Sequence, residues 1–124
     1  DTTMGYPDMV GFRNGMCHPF RPFNRNTNAE IDIWELPLVI MDGTLFEMSG
    51  SFQDAWDIAK RCIDAVSLQN GILVVNWHSN SFNCPFKHQW ENIYKNLLMY
   101  CKQQGAWLTN AEEIIKFWQE NAFL

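Results

Sequence analysis

Three side chains in this sequence are of types, and stand at places, suited to chemistry: Arg13, Asp42 and His78. Each comes at the end of a short apolar run, and Arg13 and Asp42 lead directly into a glycine-containing turn. A histidine gives or takes a proton near neutral pH, or ligates a metal. An aspartate that accepts the N–H of such a ring orients it. An arginine clamps a carboxylate, in the site or on a ligand, with its planar fork. Each residue also has a plainer reading. Asp42-Gly43 is a common turn pair, Arg13 suits a surface ion pair of little energetic weight, and a strand-end histidine can simply bond a nearby carbonyl.

The elements that would position them follow from periodicity. Residues 9–12, Leu38–Met41 and residues 72–77 are short, apolar, strand-like runs, as strands covered on both faces would be. Between them lies an amphipathic helix, with Phe52, Ala55, Trp56, Ala59, Cys62, Ile63 and Val66 on one face. Ser51 with Asp54 resembles a capping box at its start, and Gln69-Asn70-Gly71 stops it. A second helix is expected over residues 88–103, with Trp90, Ile93, Tyr94, Leu97 and Cys101 inward. A short strand at residues 106–108 follows Gly105. Thr109 with Glu112 then caps a last helix carrying Ala111, Ile114, Ile115 and Trp118 inward. This β/α order predicts an α/β fold with a parallel sheet or barrel, in which chemistry collects where strands end.

Composition narrows the classes. At 124 residues the chain is one domain or part of one. It is 47% hydrophobic, enough for a core. The net charge of −5 with scattered Lys and Arg argues against nucleic acid. No segment approaches the roughly 18 continuous apolar residues of a membrane span. The start at Asp1-Thr2-Thr3, with neither Met nor a signal-peptide pattern, leads us to expect sequence upstream. Cys17, Cys62, Cys84 and Cys101 form no C-x-x-C pair. They are expected as reduced thiols in a cytoplasmic protein, with Cys62 and Cys101 in the core. Cys17-His18 does not make a metal site by itself, and CHPFRPF is expected to be a rigid packed loop. His88 is expected at the surface. Trp34 and Trp77 could stack on a sugar, with core packing the default.

The ordered segments GFRNGMCHPFRPF, ELPLVIMDGTL and GILVVNWHSNSF resemble the C-terminal half of a polysaccharide deacetylase domain of the NodB-homology type, and DTTMGY resembles the strand before the first of them. The resemblance spans nearly the whole chain. It implies a partial (β/α) barrel, the C-terminal half-barrel of an enzyme that removes acetyl groups from N-acetylated sugars of a cell-surface polysaccharide or its precursor. In that family a divalent, zinc-like metal and a base aspartate activate water. By the resemblance, His78 matches the general acid, Asp42 the aspartate that tunes it, and Arg13 the arginine that positions the base. Trp34 has no secure match, and the D-x-x-DW pattern around the tuning aspartate is absent here.

The chain also departs from the family. It contains no TFDD and no H-x-x-x-H segment, the segments that carry the metal ligands and the base. No cofactor is therefore expected within this chain, and the isolated chain is expected to be inactive. Besides a carbohydrate substrate, the partners expected are the N-terminal half of the domain or a second copy closing the open barrel. A non-catalytic carbohydrate-binding or pseudoenzyme module is the alternative, and a purely structural α/β fragment the plainest one.

Overall fold

The computed structural model describes residues 1–82, 85 and 88–121. Among the described residues, four strands and four α-helices follow in order. β1 (Phe23–Asn24) and β2 (Ala29–Glu30) form a small antiparallel hairpin. β3 (Leu38–Met41) runs into α1 (Asp42–Met48), and α2 (Phe52–Leu68) leads to β4 (Val74–Asn76). α3 (His88–Gln103) and α4 (Ala111–Asn121) complete the chain.

β3 and β4 pair in parallel, with Leu38 opposite Val74, Ile40 opposite Val75 and Met41 opposite Asn76, and with an irregularity between Leu38 and Ile40. A parallel pair needs a helical crossover, which α1 and α2 provide. The chain is thus mixed α/β, and each described sheet has two strands. These small sheets do not by themselves make up a barrel.

α2 forms as its sequence dictates. The Ser51 hydroxyl accepts the Asp54 N–H at 3.1 Å, satisfying one of the free donors of the first turn. Ala55, Ala59, Cys62, Ile63 and Val66 are buried along one face. Ala55, Ala59, Cys62 and Ile63 pack with Val39, Ile40 and Leu45 from the β3–α1 segment and with Ile93, Leu97 and Cys101 of α3. Burying a side chain the size of Ile40 or Leu97 contributes about 1.5–3 kcal/mol.

Both long helices end in the same hydrogen-bonded closure. After α2, Asn70 N–H donates to Ser67 and Gly71 N–H to Val66, with Asn70 at positive φ (49°). After α3, Gly105 donates to Lys102 and Ala106 to Cys101, with Gly105 at φ 81°. Each is a Schellman arrangement. In the first, the asparagine takes the left-handed position. Gly71 is required for a different reason: a Cβ there would lie 2.2 Å from Cys17 Sγ and 2.9 Å from the Cys17 carbonyl.

The Cys17 loop docks at that point, although Phe23 at the end of the CHPFRPF segment enters β1 and is 55% exposed rather than packed. Ile72 N–H donates to the Cys17 carbonyl at 2.7 Å, and His18 Nε2 lies 3.2 Å from the Gln69 carbonyl. Cys17, Cys62 and Cys101 are buried free thiols, and burial pushes all three above the usual thiol range. Cys84 and the side chain of His88 lie outside the described residues.

Several sequence expectations are corrected. Residues 9–12 form no strand; one bond, from Gly11 N–H to the Val39 carbonyl at 2.8 Å, holds them beside β3. The strand at residues 72–77 shortens to Val74–Asn76. Residues 106–108 form no strand, because the Ala106 amide closes α3 instead. Asn110, not Thr109, caps α4: its Oδ1 accepts the Glu113 N–H at 3.0 Å, while the Thr109 hydroxyl bonds the Glu113 carboxylate. Nor is the apolar side of α4 buried. Ile114, Ile115 and Trp118 are only half-covered, Ala111 is exposed, and Phe117 is 54% exposed.

Candidate functional site

The parallel register brings two of the three candidate residues together. Met41 stands opposite Asn76, so the chain leaves both strands side by side. Asp42 opens α1 there, and His78 lies just beyond β4. The Asp-Gly pair is therefore a helix start, not the turn that its composition also allowed. Asp42 is 1% exposed, and a buried carboxylate must be paired or fully hydrogen-bonded.

It is fully hydrogen-bonded. Oδ1 accepts from the Gly43 amide at 2.7 Å and lies 2.6 Å from His78 Nδ1. Oδ2 accepts from the His78 amide at 3.0 Å and from the Ser81 hydroxyl at 2.5 Å. A carboxylate offers about four lone-pair directions, and these four donors occupy them. Burial pushes the Asp42 carboxyl up, but the bonds from Ser81, the His78 ring, the His78 amide and Gly43 outweigh it and hold the carboxyl below its ordinary value.

The loop after β4 supplies three of those donors. His78 precedes a single 3-10 turn over Ser79–Ser81, and Ser81 N–H donates to the His78 carbonyl at 3.0 Å. That turn folds the Ser81 side chain back over Asp42 (Ser81 is 1% exposed). Ser81 went unremarked in the sequence. The available signal was a hydroxyl three residues after a candidate histidine, the spacing at which a 3-10 turn superposes side chains.

The ring of His78 is consequently set. An ionised carboxylate only accepts, so Nδ1 carries the proton in the Asp42 bond. Nε2 has no hydrogen-bond partner among the described residues, and the side chain is 53% exposed. An aromatic cluster links α1, the residue after β4 and α3. Trp77 meets Phe46 edge-on at 6.1 Å, Phe46 stacks on Trp90 at 4.2 Å, and Trp77 contacts Tyr94 at 5.4 Å. Trp77 packs against the core cluster. Trp34 is half-buried with the Arg21 guanidinium 5.0 Å from its ring centroid, so one face of it is covered.

Arg13 is not part of this constellation. Its side chain is exposed, and Nη1 donates to the Gly5 carbonyl at 3.0 Å. Among the described residues, no group of three His, Cys, Asp or Glu side chains could hold a metal. Asp42, with its acceptor positions filled, does not fit as a ligand, and His78 keeps only Nε2.

A groove of about 780 Å³ is lined by residues of α2, β4, α3 and α4. Val75, Trp77, Tyr94, Leu97, Trp107 and Phe117 are among its lining residues. No described helix is long and apolar enough to cross a membrane.

Comparison with protein-family models, with curated proteins and with solved structures finds no match to this chain.

Proposed function

We propose that this chain is the C-terminal part of a polysaccharide deacetylase, within which His78 acts as general acid on an N-acetylated sugar. The observation that supports this most is the Asp42–His78 pair. A buried carboxylate fixes one ring nitrogen and leaves the other, on a half-exposed ring, able to exchange protons with a ligand.

In amide hydrolysis, water adds to the acetyl carbonyl and the C–N bond then breaks. The departing nitrogen must take up a proton, and Nε2 of protonated His78 gives it. Asp42 stabilises the imidazolium and holds the ring in place. The base and the metal implied by the resemblance would come from residues other than these, as would the remaining walls of the barrel. Arg13 keeps the role of positioning that base, in a complete domain that contains it.

The test is metal analysis with an acetate-release assay on N-acetylglucosamine oligomers. It compares this chain with a longer protein carrying a TFDD-like segment upstream. Metal-dependent acetate release by the longer protein alone supports the proposal. Sugar binding without release by both supports a non-catalytic carbohydrate-binding module. Neither release nor binding by the longer protein overturns both readings.

A further inference from the structure

We propose that Ser81 is the positioning residue of this site, the group that keeps Asp42 turned so that His78 holds its proton on Nδ1. The inference builds on the Asp42–His78 pair, but not on the identity of the reaction.

The geometry separates Ser81 from the other three donors. The Gly43 amide belongs to the residue after Asp42, and the two His78 donors belong to the residue being positioned. Only Ser81 joins the carboxylate to a third point. The peptide plane of Gly43 moves with Asp42, so its bond limits rotation of the carboxylate only locally. The His78 amide and the Ser81 hydroxyl both bind Oδ2, which leaves Oδ1 to Gly43 and the ring. Without the hydroxyl, Oδ2 keeps one donor, and a buried lone pair is left unfilled. The carboxylate then gains by rotating, and rotation misdirects Oδ1 from Nδ1.

Among the described residues, Asp42 is the one ionisable side chain bonded to His78, and Ser81 carries no charge. The tautomer is therefore set by hydrogen-bond direction. A free neutral imidazole has no such constraint and populates both tautomers.

Imidazole nitrogen NMR on the 15N-histidine-labelled chain reads this directly, without any activity. At a pH where the ring is neutral, wild-type His78 should be overwhelmingly the Nδ1–H tautomer. Ser81→Ala should shift the ratio several-fold toward Nε2–H, and Ser81→Thr, which keeps the hydroxyl, should restore it. Ser81→Cys, close in size but a weak donor, carries the same comparison should the alanine variant not fold. A wild-type His78 that is mainly Nε2–H overturns the proposal with no variant at all. So does a folded Ser81→Ala or Ser81→Cys variant with the wild-type ratio. Loss of fold in both, with rescue by threonine, would make Ser81 a structural residue and also overturns it. Because the readout is a tautomer, absence of deacetylase activity leaves this result untouched.

Discussion

Nδ1 of His78 lies 2.6 Å from Oδ1 of Asp42, across 36 residues of chain. Two helices intervene, and the parallel register of β3 and β4 closes the distance. The pair therefore belongs to the tertiary fold and not to any local motif.

On the proposed function, in a longer deacetylase that contains this chain, His78→Ala should lower turnover by about 10²–10⁴-fold, the range for loss of a general acid. The fold should survive, since the ring is half exposed. Acetate release with circular dichroism on the same samples checks both parts. Unchanged turnover would remove His78 from the mechanism.

Arg13→Ala should leave the melting temperature of this chain nearly unchanged, because the side chain is exposed and its one bond among the described residues is to the Gly5 carbonyl, and surface changes stay within about 0.5 kcal/mol. On the proposed function, in a longer deacetylase the same change should reduce turnover by displacing the base. Equal turnover with and without Arg13 would assign it to the surface only.

Stability should fall in acid through Asp42. Its folded value lies below the ordinary 3.8, so the folded state holds the proton less tightly than the unfolded chain. The stabilisation is fully present above the ordinary aspartate range and is lost as pH falls through the depressed value. Urea unfolding at stepped pH should show Asp42→Asn with a shallower acid decline than wild type. Parallel declines would mean that other carboxylates carry it.

Gly71→Ala should destabilise the fold by about 1–3 kcal/mol, the usual cost of forcing atoms into packed space. The new methyl would meet Cys17 Sγ and the Cys17 carbonyl. Adding Cys17→Ala should recover part of the loss, since only the sulfur contact is removed. Denaturant titration of the single and double variants measures it, and full tolerance of Gly71→Ala would contradict the close approach.

The open groove beside β4 should make the isolated chain associate. Trp107 and Phe117, both more than half exposed, stand among its lining residues, and among the described residues β4 pairs with β3 alone, leaving an edge that natural sheets usually cover. Sedimentation velocity should show mass rising with concentration. A monomer at all concentrations that binds no hydrophobic dye would argue that the groove needs no cover.

The long helices were legible because their signals are local. The α2 face from Ala55 to Val66 and its Ser51 cap read directly from spacing, and α3 lies where periodicity places it. Strand-like runs were less secure, because a strand exists only with a partner. Residues 106–108 have the composition but spend the Ala106 amide on α3, and residues 9–12 make a single bond to β3. The site was half legible. Asp42 and His78 could be named from their strand-end positions, but nothing local announces that they touch. Ser81 and the saturation of Asp42 emerge only once the 3-10 turn is seen.

The filling of all four Asp42 acceptor positions also has a consequence for timing. Three of the donors arrive from residues 78–81, so the carboxylate stays hydrated until that stretch docks. During synthesis the crossover helices can begin to order early, whereas the dyad waits for β4 to find β3, a non-local step that closes a long loop. The His78 ring thus reports on that docking: its nitrogen resonances should reach their native positions no earlier than the β3–β4 pairing forms.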